Sequence, residues 1–168
     1  DINTYELDPD CVEKLITNKT KAIVSVDFAG QTADLSKIKD IAELVSGIVA
    51  EIGPLKGFVH CVGVRCRRPL KILTTDVLQN VFTINLFSFI ELLRQITKKG
   101  NFENGLSVVG ISSISSVTGG AGITAYSASK AAMDGAIRSL APELASKGVR
   151  INTVMPGQIN TPAYAKMI

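Results

Sequence analysis

The apolar positions of this chain fall into two patterns, short uninterrupted runs and longer stretches with helical spacing. Compact apolar or β-branched runs bounded by polar and turn residues are typical of strands buried on both faces of a sheet. Four such runs predict strands: Ala22 to Asp27, Phe58 to Val62, Ser107 to Ile111 and Val149 to Val154.

Other stretches carry apolar residues three and four positions apart, the spacing that gives a helix one apolar face. They predict a short helix at Asp8 to Leu15 and three long helices at Leu35 to Ile52, Thr75 to Lys99 and Thr124 to Lys147. Gly53, Gly100 and Gly148 directly follow the long helices, at the position where glycine commonly ends a helix.

Strands and helices alternate along the chain, which predicts parallel strands joined by crossover helices. We therefore expect an α/β fold with a doubly wound parallel sheet. The chain has 168 residues, of which 46% are hydrophobic and 20% charged, enough to bury the core of one domain. No repeat or linker divides it, so a single domain over residues 1–168 is expected.

Charge and cysteine content narrow the classes of function. The net charge of +3 is scattered and is densest at Arg65, Arg67, Arg68 and Lys71. These basic residues do not form the stripe of positive charge that is typical of nucleic-acid-binding proteins. They indicate a solvated loop face, and contact with an acidic partner or carrier is the alternative. The three cysteines lack metal-ligand spacing and are odd in number, which favours a reducing, cytoplasmic location and no metal.

Nothing in the sequence predicts a membrane segment. The apolar runs, such as Phe58 to Val64, are too short to span a bilayer, and the acidic start DINTYELDPD does not read as a signal peptide.

Polar residues follow each predicted strand, at the edge where parallel sheets bind ligands. They are Asp27, the segment HCVG (60–63), the serines of SSISS (112–116) and the turn PGQINT (156–161). Tyr126 and Lys130 open the next helix, four residues apart and hence on one face. An ammonium beside a phenol lowers the phenol pKa from about 10 and suits it to proton transfer with a carbonyl oxygen.

Ser113 lies 13 positions before Tyr126, and together with Lys130 it forms a serine followed by Tyr-x-x-x-Lys. Asn85 in TINLF and the segment NTVMPGQINT lie at matching distances. In this combination the chain resembles the short-chain dehydrogenases/reductases over essentially its whole length, in particular the single-domain reductases of 3-oxoacyl thioesters. The resemblance implies a Rossmann-type fold, with NAD or NADP as cofactor.

The resemblance also implies roles for individual residues. Tyr126 would be the general acid in reduction, Lys130 would lower its pKa and bind the nicotinamide ribose, and Ser113 would donate to the substrate carbonyl. Asn85 would hold a water that relays protons to Lys130. Cofactor contacts would come from Tyr126 and Lys130 and from Asp27, Cys61, Val62, Gly63, Pro156, Gly157, Ile159 and Thr161.

The implied substrate is a small-molecule or acyl-carrier-bound carbonyl compound, and the implied assembly is a homodimer or homotetramer. Neither nucleic acid nor a membrane is expected as a partner. A cofactor-sensing or structural relative without turnover is the alternative function. A serine hydrolase using Ser113 is excluded, because the sequence has no nucleophile elbow and no histidine follows the serine.

Several features depart from the family pattern. The first strand, its glycine-rich phosphate loop and the second strand are not found, and VTGGAG (117–122) follows the wrong strand to replace that loop. We therefore expect a domain incomplete at both ends, so that these residues alone would neither bind cofactor nor fold stably, whereas a longer parent would do both. HCVG stands where the family usually has Asn-Asn-Ala-Gly, which keeps the glycine but loses the amide side chains.

Each candidate residue also has a purely structural interpretation. Ser113 would then be a strand-end cap, Tyr126 a packing residue with Lys130 extending past it, and Asn85 a tolerated polar residue in a helix. Asp27 would be a turn residue. His60, the only histidine, is interpreted as a core residue, and Cys61 as a small, buried one.

Overall fold

The structure, a computed structural model, describes residues 41–159. The predicted helix Asp8 to Leu15, the predicted strand Ala22 to Asp27, and the candidate residues Asp27 and Thr161 lie outside the described residues. The part of the predicted helix Leu35 to Ile52 that is described begins at Ile41.

The long helices and the strands alternate through the described part of the chain, as the hydrophobic pattern predicts. In chain order the elements are α1 (Ile41–Ile52), β1 (Leu55–His60), α2 (Thr75–Ile96), β2 (Phe102–Ile111), α3 (Ser115–Thr118), α4 (Thr124–Ala145) and β3 (Arg150–Val154). A 3-10 turn at Leu70–Ile72 precedes α2, and the middle of α2, Thr83–Phe87, is a π-helical segment.

The three strands form one sheet in the order β1-β2-β3, and both pairs are parallel. His60 pairs with Gly110, and Gly110 pairs with Thr153, so the carboxyl ends of all three strands lie at the same edge. The predicted parallel sheet is therefore confirmed for these strands.

Several element boundaries differ from the predicted ones. β2 begins at Phe102, five residues early, because Phe102 pairs with Leu55 across an irregularity in the register. β1 ends at His60 rather than Val62. The helix α2 is capped by Thr74, whose Oγ1 accepts from the Val77 N–H at 3.4 Å.

The main core lies between the sheet and the three long helices. Leu106 and Val108 of β2 are fully buried on the same face of the strand and pack with side chains of α1, α2 and α4. Gly110 continues this face, and a Cβ there would lie 2.8 Å from Ile137 Cδ1. The glycine therefore permits α4 to approach the carboxyl end of β2, where the candidate residues are located.

The helix Thr75–Ile96 is long and apolar enough, by length and composition, to cross a membrane. In the fold it behaves as a core helix, because Phe89, Leu93 and Ile96 are buried within the main core.

Candidate active site

A cleft of about 510 Å³ lies at the carboxyl edge of the sheet, a volume in the range of small-molecule sites. Ser113 and Tyr126 line it, together with the glycine-rich loop between them and the segment Gly157–Ile159. The fold thus brings together Ser113 and Ile159, which are 46 positions apart in the sequence.

Ser113 is held in position by the backbone that follows β2. The Ser112 N–H donates to the Val154 carbonyl at 2.8 Å, and the Ile114 N–H donates to the Pro156 carbonyl at 3.0 Å. Ser113 Oγ accepts from the Ser115 N–H at 3.2 Å. In this contact Ser113 caps the backbone, as expected if its role is structural. The contact uses only a lone pair of the oxygen, so the hydroxyl proton can still donate a hydrogen bond into the cleft.

Tyr126 lies in the first turn of α4, partly buried. One turn later, Lys130 is 4% exposed, and its Nζ donates to the Ile111 carbonyl at 2.7 Å. Burial lowers the pKa of Lys130 to about 8, while the charges of Asp134 and Cys61 partly oppose that shift. The helix therefore places a buried ammonium one turn from a phenol that faces the cleft.

Asn85 lies at the centre of the π-helical segment of α2 and is fully buried. Its Oδ1 accepts from the Val64 N–H at 2.7 Å, and its Nδ2 donates to the Val64 carbonyl at 3.1 Å and to Ser129 Oγ at 2.8 Å. Ser129 Oγ in turn donates to the Tyr126 carbonyl at 2.8 Å. Asn85 thus joins the loop after β1 to the first turns of α4.

Gly63 lies beside the side chains of Lys130 and Asn85. A Cβ at this position would lie 3.0 Å from Lys130 Nζ and 3.4 Å from Asn85 Oδ1. Only glycine leaves open the space between the backbone after β1 and the lysine ammonium.

His60 is a core residue, as its sequence context predicts. It is 1% exposed, its Nε2 lies 3.1 Å from Ser88 Oγ, and its ring packs edge-on against Phe89. Burial, and then the charge of Lys130, lower the His60 pKa to about 3, so the ring is neutral at physiological pH. Cys61 is only partly buried, less than expected, and burial raises its thiol pKa while Lys130 opposes that effect.

Two arginines that the sequence assigned mainly to a solvated loop face, with contact to an acidic partner or carrier as the alternative, lie at the site. Arg65 and Arg67 are exposed, as expected for a solvated loop, but both also line the cleft. The available signal was their position directly after a predicted strand, since that is where parallel sheets collect ligand-binding residues.

The parallel sheet, the crossover helices and a ligand-sized cleft at the carboxyl edge define an α/β protein of Rossmann type. Residues 7–167 match the family described as short chain dehydrogenase. The chain belongs to this family, and the resemblance inferred from the serine, tyrosine and lysine is confirmed.

Individual relatives agree with this assignment. The chain is 35% identical over 144 residues to an acetoacetyl-CoA reductase from Allochromatium vinosum, covering 85% of this chain and 58% of the relative. It is 32% identical over 129 residues to a 3-oxoacyl-[acyl-carrier-protein] reductase from Mus musculus, covering 76% of this chain and 54% of the relative. The chain thus spans little more than half the length of these relatives.

Solved structures show the same fold. An F189W actinorhodin polyketide ketoreductase crystallised with NADPH superimposes with a TM-score of 0.74 at 28% identity, covering 82% of this chain and 54% of that one. A dehydrogenase/reductase from Sinorhizobium meliloti 1021 also has a TM-score of 0.74, at 24% identity, covering 84% of this chain and 63% of that one.

Proposed function

We propose that the protein is an NAD(P)-dependent oxidoreductase that transfers a hydride between the nicotinamide and a carbonyl or alcohol substrate. The observation that carries this proposal is that Ser113 and Tyr126 line one cleft, with the buried Lys130 one turn from the phenol. A carbonyl oxygen placed between the two hydroxyls would meet one donor to stabilise its charge and one acid to protonate it.

The residues around Gly63 fit the nicotinamide half of such a cofactor. The space that a Cβ would fill beside Lys130 Nζ is open, and that ammonium would bind a ribose hydroxyl there. The rest of this proposed cofactor site would be lined by Cys61, Val62, Pro156, Gly157 and Ile159. Asp27 and Thr161 are assigned to it by the resemblance alone. When bound, the cofactor supplies or accepts the hydride.

Four residues, Ser113, Tyr126, Lys130 and Asn85, would contribute to the proton transfer. Ser113 would donate a hydrogen bond to the substrate oxygen, and Tyr126 would deliver the proton to it in reduction or remove it in oxidation. Lys130 would stabilise the phenolate that remains and supply the proton that restores the phenol. Asn85, whose side chain binds Val64 and Ser129, would hold a water that returns a proton to Lys130. Both NAD and NADP are compatible with these residues.

A 3-oxoacyl thioester is the substrate class that we propose first. It is supported by the similarity of the chain to an acetoacetyl-CoA reductase and a 3-oxoacyl-[acyl-carrier-protein] reductase. A small-molecule ketone is the alternative substrate, and it would undergo the same hydride transfer.

The test is oxidation of NADPH and of NADH by the full-length protein with 3-oxoacyl thioesters and simple ketones. Tyr126→Phe is expected to lower kcat by about 10²–10⁴-fold, the contribution of a positioned acid, while the dissociation constant of the cofactor stays within two-fold. Ser113→Ala is expected to lower kcat as well. Its matched control is Ser116→Ala in the adjacent helix α3, a residue that lies outside the cleft lining.

Full activity of Tyr126→Phe would contradict the proposal. Cofactor binding without turnover of any carbonyl would instead support a nucleotide-sensing protein that keeps the fold.

A further inference from the structure

Two arginines share the cleft with the residues proposed to act on the carbonyl. Arg65 and Arg67 line it alongside Ser113 and Tyr126. Among the residues between 41 and 159 that line this cleft, none is Asp or Glu. Arg65 and Arg67 are thus the charged side chains among the described residues that line the cleft.

This loop is anchored on both sides of the arginines. At Val64, Asn85 binds both backbone groups, with distances of 2.7 and 3.1 Å. At the other end, the Arg68 N–H donates to the Gly122 carbonyl at 2.7 Å. Arg65 and Arg67 thus lie between Val64 and Arg68, two residues whose backbones are held by hydrogen bonds.

Gly122 brings Arg67 close to the start of α4. Its φ is +76°, and a Cβ built at this position would be in ordinary van der Waals contact with Arg67 Cγ, at 3.5 Å. The arginine stem thus packs on backbone that lies four residues before Tyr126. This packing restricts the stem of Arg67, a residue that lines the cleft.

We propose that Arg65 and Arg67 bind an anionic group of the substrate, a carboxylate or a phosphate, that lies beyond the reacting carbonyl. A guanidinium offers a planar fork of donors that matches both anions. The cleft of about 510 Å³ has room for such an extended substrate. This inference rests on the proposed function, because that function assigns the carbonyl to Ser113 and Tyr126.

The test compares charged with neutral substrates in the double variant Arg65→Gln/Arg67→Gln of the full-length protein. The carboxylate arm uses a 3-oxocarboxylate and its methyl ester. The phosphate arm uses a 3-oxoacyl thioester of coenzyme A and the same acyl group on neutral N-acetylcysteamine. We expect KM for one anionic substrate to rise by about ten-fold, ~1.4 kcal/mol, with kcat and all values for the neutral partner within two-fold.

The matched control is Arg150→Gln, an exposed arginine at the opposite end of β3, which should change none of these values. An equal loss with charged and neutral substrates, or no loss with either, would overturn the inference. A higher dissociation constant for NADPH with unchanged substrate KM would also overturn it, because the arginines would then serve the cofactor phosphates.

Direct binding separates this inference from the proposed function. If the unmodified protein turns over no carbonyl compound, the function fails, and calorimetric titration with the 3-oxocarboxylate and the coenzyme A thioester still tests the arginines. Binding that the double variant loses and Arg150→Gln keeps would support the anion site, whereas binding that is absent or unchanged would overturn it.

Discussion

His60 shows how a single residue type is given its role by its surroundings. Histidine usually titrates near pH 6.5, and in many proteins it acts as an acid, a base or a metal ligand. Here the ring is enclosed by Phe58, Phe89 and Ser88, and burial lowers its pKa to about 3. The residue therefore packs as a neutral aromatic group.

This buried histidine predicts a loss of stability in acid. The unfolded chain binds a proton at His60 below about pH 6.5 and the folded chain does not until about pH 3, so stability is lost as the pH falls between these values. By pH 4.5 the loss from this group is about 2–3 kcal/mol. Urea midpoints at pH 7 and pH 4.5 should differ less in His60→Phe than in the unmodified protein. An equal difference in both proteins would show that His60 titrates normally.

Asn85 is predicted to stabilise the fold as well as the site. In Asn85→Ala the buried Val64 backbone and Ser129 lose three hydrogen bonds, which should lower the free energy of unfolding by about 2–4 kcal/mol. Asn152→Ala, at an exposed position on β3, is the control and should change it by less than about 0.5 kcal/mol. Urea denaturation measures both, and a small loss in Asn85→Ala would show that water replaces the amide.

At the scale of elements, the contact between β2 and α4 determines how close Lys130 comes to the strand end. Lys130 Nζ reaches the Ile111 carbonyl at 2.7 Å, and this requires α4 to pass closely over Gly110. The hydrophobic pattern predicted both elements, but it contained no information on their separation, which depends on the missing side chain of one glycine and the shape of Ile137.

A double-mutant cycle tests this contact. Gly110→Ala places a methyl group 2.8 Å from Ile137 Cδ1, and such overpacking should cost about 1–3 kcal/mol. Ile137→Val removes that carbon atom, so Gly110→Ala should cost at least 1 kcal/mol less in the Ile137→Val background, by about the size of typical coupling energies. Additive effects in thermal or urea unfolding would show that α4 simply shifts away.

At the scale of the whole molecule, α2 presents an apolar pair to solvent. Phe87 is 49% exposed and Ile90 is 40% exposed, three residues apart and hence neighbours on the helix. The resemblance implies a homodimer or homotetramer in which this helix pairs between subunits, and we expect such an interface to cover these two side chains. The single domain over residues 1–168 and the cytoplasmic location remain predictions from the sequence.

Assembly is therefore expected to depend on this pair. Phe87→Lys/Ile90→Lys should lower the molar mass of the full-length protein in light scattering towards that of the monomer. Leu70→Lys is the control, because Leu70 is 80% exposed in the turn before α2 and should leave the mass unchanged. A monomeric unmodified protein, or an unchanged mass in the double variant, would contradict this prediction.

For residues 41–159, the sequence by itself determined the order of the strands and long helices and the parallel sheet. It also determined the family through Ser113, Tyr126 and Lys130, because all of these depend on local periodicity and spacing. The tertiary structure alone decided the π-helical segment around Asn85, the partners of its side chain, the burial of Lys130, and the placement of Arg65 and Arg67 in the cleft. These features arise from contacts between residues distant in the chain, which depend on packing geometry and cannot be seen in the order of residues along it.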